Sequence, residues 1–268
     1  MILSDMQIEQ FREQGHFIAE GVLPHDVLNA AADDFERLRS KQDAEIRSTG
    51  ERRGISHEGR NFIAHLHLQS EASSKICFDS KLIQIAAALM GENVRLYWNQ
   101  AVTKAAHSGG AFSWHQDTGY HKMDPLEYLT LWIPLEDATV ENGTIWVLSG
   151  SHKWGLQEHV VDDDLGDKVG YQGEEPGIPV EVKKGSVAVF SSLCFHRSGP
   201  NNSDKPRRAY VVQFCPSHAV DDTGLKWGDN IEVVRDGQLV DLPSGDWAER
   251  IVDSRENWDS SIIENWRI

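Results

Sequence analysis

A chain of 268 residues, 40% apolar and 25% charged, has the means for one sizeable core. Its formal net charge of -16 repels nucleic-acid backbones and anionic membranes, so neither is expected as a partner. No run approaches the roughly 20 apolar residues of a membrane-spanning helix, and the start Met1-Ile2-Leu3-Ser4-Asp5 lacks a secretory signal pattern. Three widely spaced cysteines (Cys77, Cys194, Cys215) with no C-x-x-C fit a reducing cytoplasm and argue against a disulfide framework or a zinc-thiolate site.

The first ninety residues read as helical. Ser4 is placed to cap a helix with Ile8 and Phe11 on its apolar stripe, and Gly15 to stop it. Pro24 opens a second helix, with Val27, Leu28, Ala31, Phe35 and Leu38 at helical spacing. Residues 40–60 are charged and contain Gly54, which reads as a mobile surface loop. A third helix is expected from about Ser80 to Met90, ending at Gly91. From residue 93 the texture changes to short β-rich runs at 94–103, 128–135, 144–148, 179–183, 186–191 and 208–215. Asn142-Gly143 between two of them is a hairpin signal, and Lys184-Gly185 marks another turn. This is the pattern of an antiparallel sandwich or jelly roll with helices packed outside. The polar tail after 217, with Trp227, Trp247, Trp258 and Trp266, reads as a cap or as a contact between copies in a homo-oligomer.

Chemistry concentrates after the Gly-rich Ser108-Gly109-Gly110. In Trp114-His115-Gln116-Asp117 a histidine and an aspartate stand at i and i+2, on the same side of an extended segment. Alone, such a dyad is commonplace. His196, in Phe195-His196-Arg197-Ser198-Gly199 at the end of the apolar run Val187–Phe190, would complete a two-His, one-carboxylate facial triad for Fe(II). Taken alone, one histidine among 12 is more readily a hydrogen-bonded core or surface residue. Arg207 and Arg208 shift the balance. The turn Pro200-Asn201-Asn202-Ser203-Asp204 would fold them back beside His196 as a hairpin, where an arginine can clamp a carboxylate. Three protein ligands leave room for a 2-oxo acid and O2, and the distal carboxylate of 2-oxoglutarate then calls for a buried cation such as Arg207.

With these residues in place the chain resembles the phytanoyl-CoA dioxygenase family over roughly residues 5–216. The resemblance rests on His115-Gln116-Asp117, on Trp132-Ile133-Pro134-Leu135-Glu136-Asp137-Ala138, and on Glu141-Asn142-Gly143. It continues through Gly150-Ser151-His152, His196-x-Ser198-Gly199 and Arg207, with Gln10-Phe11 and Gly15-His16-Phe17 matching the family's opening helix and strand. It implies a single Fe(II)/2-oxoglutarate dioxygenase domain over 1–268, a double-stranded β-helix of the jelly-roll, cupin-like kind. Its parts would be a helical portion 1–92, a core 93–216 and an extension 217–268. It implies His115, Asp117 and His196 as iron ligands and Arg207 as partner of the 2-oxoglutarate C5 carboxylate, with Ser198 beside it. Thr118 and Trp132 match positions that line the co-substrate pocket, and the strand holding Tyr97, Asn99 and Gln100 would add a polar contact. His152 is implied to be structural. His121 is open between substrate contact and surface. Related halogenases carry Gly or Ala in place of the carboxylate, so Asp117 favours oxygenation. The expected activity is hydroxylation of a small-molecule metabolite with release of succinate and CO2. Phe112, Trp114, Tyr120 and Trp146 hint at a partly apolar substrate, whereas an acyl-CoA would need a basic patch such as Arg47, Arg52, Arg53 and Arg60. The competing readings are a cupin-like metalloenzyme that does not use 2-oxoglutarate and a non-catalytic binding module on the same fold.

Overall fold

The computed structural model describes residues 2–50, 56, 59–107, 111–162 and 166–241. Ser108, Gly109, Gly110, Arg52, Arg53, Trp247, Trp258 and Trp266 lie outside them. No helix among the described residues is long and apolar enough to cross a membrane.

Helix α1 (Asp5–Gln14) begins with a capping box. The Gln7 amide donates to Ser4 Oγ at 3.3 Å and the Gln7 side chain accepts from the Ser4 amide at 3.0 Å. Gly15 ends the helix at φ 77, and a Cβ there would sit 2.4 Å from His152 Nδ1. Helix α2 (His25–Thr49) runs further than the sequence promised, so 40–49 is helix rather than loop. The extra turns are held by Arg39, which reaches Asp43 at 2.5 Å, and by the burial of Asp43 and Ile46. Gly50 then stops it in the left-handed region. Helix α3 (Glu71–Cys77), capped by Ser70, was hidden by its polar composition. Helix α4 (Ser80–Met90) falls where expected, with the Asp79 carboxylate accepting from the Lys81 amide at 2.9 Å.

The strands follow in chain order. They are β1 (His16–Ala19), β2 (Arg60–Ala64), β3 (Val94–Lys104), β4 (Phe112–His115), β5 (Met123–Asp124), β6 (Leu129–Pro134), β7 (Ile145–Val147) and β8 (Val160–Val161). Then come β9 (Lys168–Val169), β10 (Ile178–Val180), β11 (Val187–Ser191), β12 (His196–Ser198), β13 (Arg207–Pro216), β14 (Val220–Asp221), β15 (Ile231–Arg235) and β16 (Gln238–Leu239). The major sheet runs β1-β11-β6-β13-β3-β15-β16, with β2 also on β3, and the minor sheet runs β10-β7-β12-β4. Strands β1 and β2 lie inside the stretch that periodicity assigned to helices, although the family's opening strand covers β1.

Alternation along the strands builds two layers of core. Leu129, Leu131 and Ile133 of β6, with Tyr210, Val212 and Phe214 of β13, pack outward against Leu28, Phe35, Ile76 and Leu82 of the helices. Trp132, Ala209, Val211, Ala188 and Phe190 face inward toward Ile145, Val147 and Val180 of the minor sheet. The major sheet is therefore covered on both faces, which is why β6 and β11 are mostly apolar on both, with Thr130 the polar exception within β6. Each fully buried Leu or Phe contributes about 2 kcal/mol.

Two expected hairpins are not hairpins. Strand β6 belongs to the major sheet and β7 to the minor one, so Asn142-Gly143 turns the chain from sheet to sheet. Gly143 is required there, since a Cβ would lie 2.6 Å from the Gly199 carbonyl. Likewise β12 and β13 lie in opposite sheets, and Asn201 fixes the crossing by donating to Ala105 O at 3.0 Å and Lys205 O at 2.8 Å. Turn chemistry specifies a reversal but not which layer the next strand joins.

Candidate metal centre and co-substrate cavity

Strands β4 and β12 pair in the minor sheet, with His115 directly opposite His196. The ring centroids are 4.1 Å apart. Gln116 continues the extended backbone at φ -106, ψ 137, and Asp117 opens a 3-10 turn, so its carboxylate falls on the side of both imidazoles. Asp117 Oδ1 lies 3.7 Å from His115 Nε2 and 3.5 Å from His196 Nε2. The three ligand atoms all lie within 4.8 Å of one another.

The other atom of each ligand is occupied. His115 Nδ1 lies 2.8 Å from Ser113 O and His196 Nδ1 lies 3.1 Å from Cys194 O. Nδ1–H donation to these carbonyls leaves both Nε2 lone pairs free for a metal. Burial, and the neighbouring His196, hold the His115 pKa well below the ordinary range, which keeps the ring neutral. Asp117 Oδ2 accepts from Thr130 Oγ1 at 2.6 Å and from Gln213 Nε2 at 2.9 Å, which leaves Oδ1 available to a metal. Two imidazoles and one carboxylate, with no thiolate, fit Fe(II).

Gln116, wholly buried between two ligands, points the other way. Its amide nitrogen donates to Gly155 O at 2.8 Å and Leu193 O at 2.7 Å, and its oxygen accepts from the Gln157 amide at 2.8 Å. The middle residue of the motif thus locks the strand end in place.

A cavity of about 570 Å³ opens over the triad, and Arg207, Lys104, Trp132, Ser198 and Gln100 line it. Arg207 and Lys104 are directly opposed across β13 and β3, so their side chains share the inner face. Arg60 is opposite Lys104 on β2. Three like charges in one cross-strand row destabilise a sheet unless anions neutralise them. Asp167 takes Arg60 bidentately at 2.9 and 2.5 Å. The other two cations have no carboxylate partner among the described residues. Lys104 donates to Ser198 Oγ at 2.9 Å and to the Gly199 carbonyl. Arg207 is 1% exposed, stands 5.5 Å from the Trp132 ring, and leaves Nε and Nη1 without a hydrogen-bond partner. Burial pushes the Arg207 pKa down to about 10, and burial with Arg207 nearby pushes that of Lys104 well down. Glu136, whose charge acts on Arg207, is engaged by Arg208. No carboxylate among the described residues answers this pair of charges, which is what an anionic ligand would do.

Not every expected residue reaches the cavity. Thr118 is turned into the body, its hydroxyl bonding Leu126 O at 2.9 Å and Ser192 Oγ at 2.7 Å. Asn99 is on the outer face of β3, held by Tyr210 at 2.8 Å and Asp229 at 2.7 Å, whereas Gln100 and Tyr97 line the cavity. Phe112 and Tyr120 line it too, but Trp114 and Trp146 do not; they sandwich Arg197 at 5.1 and 4.7 Å. His121 lines it, while His152 binds Arg12 O at 3.0 Å in a structural role. Arg60, buried and paired with Asp167, is not available to a phosphate. Lys104, Thr130, Gln213 and Lys168 line the cavity without having been expected there, and Trp227, read as part of a cap or of a contact between copies, lines it too. Only Lys104 left a legible signal, being in phase with Gln100 along β3.

Residues 11–209 match the phytanoyl-CoA dioxygenase (PhyH) family. Phytanoyl-CoA dioxygenase domain-containing protein 1 of Mus musculus is 25% identical over 274 residues, covering 84% of this chain and 92% of the relative. The chain superposes on a non-haem monooxygenase, ThoJ, with a TM-score of 0.71 at 20% identity over 93% of each chain. It superposes on the epimerase SnoN, solved with Fe3+, alpha-ketoglutarate and nogalamycin RO, with a TM-score of 0.64 at 19% identity. That match covers 81% of this chain and 85% of SnoN. These likenesses establish the jelly-roll fold.

Proposed function

The chain belongs to the phytanoyl-CoA dioxygenase family, and from that premise we propose that it is an Fe(II)- and 2-oxoglutarate-dependent oxygenase hydroxylating an unactivated C–H bond of a small-molecule metabolite. One observation carries this reading: a single cavity holds both a facial triad with free ligand atoms and two buried cations that lack a carboxylate. A dicarboxylate whose keto-acid end meets the metal and whose distal end meets Arg207 satisfies both. We read residues 1–268 as one dioxygenase domain.

Bound iron, with 2-oxoglutarate and O2, supplies the oxidant for the C–H bond, with succinate and CO2 as co-products. The chain supplies the positioning. Ser113 and Cys194 carbonyls orient the two imidazoles, and Thr130 and Gln213 orient the Asp117 carboxylate. Arg207 clamps the distal carboxylate, Lys104 adds a second cation, and Ser198 Oγ accepts from Lys104 Nζ and holds it in place. Trp132 lies beside the guanidinium and restricts its swing. Phe112 and Tyr120, with ring centroids 4.5 and 5.4 Å from that of His115, keep water from one flank of the metal. The Asp117 carboxylate occupies the position that halogenases leave open, which favours oxygenation.

Conversion of 2-oxoglutarate to succinate, dependent on added Fe(II), tests the reading. The native protein is expected to turn over, and His115→Ala and Asp117→Ala to lose it. Unchanged turnover in either variant overturns the ligand assignment. Substrate turnover without 2-oxoglutarate points to a cupin-like metalloenzyme, and failure to bind Fe(II) to a binding module.

A further inference from the structure

We propose that the substrate presents an uncharged hydrogen-bonding group to Gln100, and that this side chain, rather than a charge, decides which molecules the cavity accepts. The proposal rests on the oxygenase reading above and names the substrate class of that same site.

The inner face of the major sheet is built in cross-strand rows. Arg60, Lys104 and Arg207 form one row across β2, β3 and β13, and Phe62, Val102 and Ala209 form the next. Ala64, Gln100 and Val211 make the third, with Trp132 of β6 beyond Val211. Trp98, Gln213 and Thr130 make the fourth. The cation row is buried throughout, whereas Ala64, Gln100 and Trp98 are only half-buried. The cavity therefore opens on the β2–β3 side of the third and fourth rows. Arg207 falls on β13, and Gln213 and Thr130, which hold the Asp117 carboxylate, fall on β13 and β6. Gln100 stands one strand away from that line, about 4.8 Å, on the open side. The apolar row of Phe62, Val102 and Ala209 separates it from the three cations. A molecule entering through the opening meets Gln100 before it reaches the cation row.

The Gln100 carboxamide lines the cavity and makes no hydrogen bond to a described residue. Other polar groups that line the cavity are occupied. Ser56 Oγ donates to Phe62 O at 3.2 Å and accepts from the Phe62 amide at 3.0 Å. The Tyr97 hydroxyl is bonded to that of Tyr128. Lys168 Nζ donates to Gly119 O at 2.8 Å and lies 5.5 Å from the Tyr120 ring. His121 Nε2 is buried. Gln100 is thus the open polar group on an otherwise apolar stretch formed by Ala64, Val102, Val211 and Trp132. A substrate that enters displaces the water on this carboxamide, and binding is lost unless the substrate returns the hydrogen bonds. A group with both a donor and an acceptor, such as an amide or an alcohol, returns them to a carboxamide. An ion at the same place would be stripped of water with no opposite charge on its row, at a cost that one hydrogen bond does not offset.

The test uses full-length protein with Fe(II) and saturating 2-oxoglutarate under anaerobic conditions. Binding is followed by tryptophan fluorescence and by perturbation of the iron–2-oxoglutarate absorption band. Three probes share one ring and differ in the group it carries: benzamide (uncharged, donor and acceptor), benzoate (anionic) and toluene (apolar). Benzamide is expected to bind at least about tenfold more tightly than either of the others. Gln100→Leu, which keeps the bulk and removes the carboxamide, should erase the preference over toluene. Gln100→Lys, which puts a cation at the same place, should raise benzoate above benzamide. Calorimetric titration shows whether Gln100 serves the substrate or the co-substrate: Gln100→Leu should bind 2-oxoglutarate within about twofold of the native protein. Equal affinity for the three probes, binding too weak to detect included, overturns the proposal. So does a benzamide preference that survives in Gln100→Leu, or a tenfold loss of 2-oxoglutarate affinity in that variant. If the absorption band never forms, the oxygenase reading fails, and the fluorescence titrations still decide the role of Gln100.

Discussion

Replacing Arg207 with Met should move two measurements in opposite directions. Arg207 is buried without a carboxylate partner, and its pKa is pushed down to about 10 by burial. At about 1.4 kcal/mol for each tenfold change, that shift puts the burial cost of the charged form at about 3 kcal/mol. The depressed folded-state pKa means that the cost is present throughout the neutral range and is relieved only as pH rises past about 10. Met keeps the chain length and removes the charge, so the ligand-free fold should gain about 1–3 kcal/mol after loss of the Trp132 contact. The melting temperature should rise by roughly 2–12 °C at about 2–4 °C per kcal/mol. Binding of 2-oxoglutarate should weaken by about 3 kcal/mol, on the order of 100-fold, because its distal carboxylate loses its clamp. Thermal denaturation of metal-free protein and calorimetric titration of 2-oxoglutarate into the Fe(II) form read the two effects. A variant that melts several degrees lower and binds 2-oxoglutarate as well as the native chain would refute the reasoning.

Thr130→Val removes the hydroxyl that holds Asp117 Oδ2 and should lower Fe(II) affinity about 10–100-fold in a competition with a chromophoric chelator; unchanged affinity would show that the carboxylate needs no such support. Gln116→Ala strands the Gly155 and Leu193 carbonyls and the Gln157 amide and should cost about 3 kcal/mol, a drop of roughly 6–12 °C in melting temperature. Asp167→Ala strips Arg60 of its bidentate carboxylate and should cost about 3–5 kcal/mol by urea denaturation, with much of it recovered in Arg60→Met combined with Asp167→Leu. If the double variant is no more stable than Asp167→Ala, the loss does not come from a stranded charge.

The His115 and Asp117 half of the candidate metal triad was legible because its placement depends on local geometry alone. An i, i+2 pair at a strand end points one way whatever the strand pairs with; His196 was picked by its place after an apolar run, although that run is β11 of the major sheet and His196 opens β12 of the minor one. What lay beyond sequence reach depended on which layer each strand joins. Asn142-Gly143 and the turn after Gly199 read as hairpins, yet both carry the chain between sheets. Asn99 and Gln100 could not be told apart without the register that puts Asn99 against Tyr210 and Gln100 in the cavity. Lys104 was within reach, since it ends a strand in phase with Gln100, but its meaning came only from lying opposite Arg207. Helix α2 outran its apolar stripe because ion pairs and the buried Asp43 extend it, and these leave no periodic signature.

The most direct test of the central claim is the visible absorption spectrum of the anaerobic protein with Fe(II) and 2-oxoglutarate. A weak metal-to-ligand charge-transfer band is expected in the native protein, lost in Asp117→Ala, and lost in Arg207→Met at a 2-oxoglutarate concentration that saturates the native chain. No band in the native protein, or a band of equal strength in both variants, would contradict it.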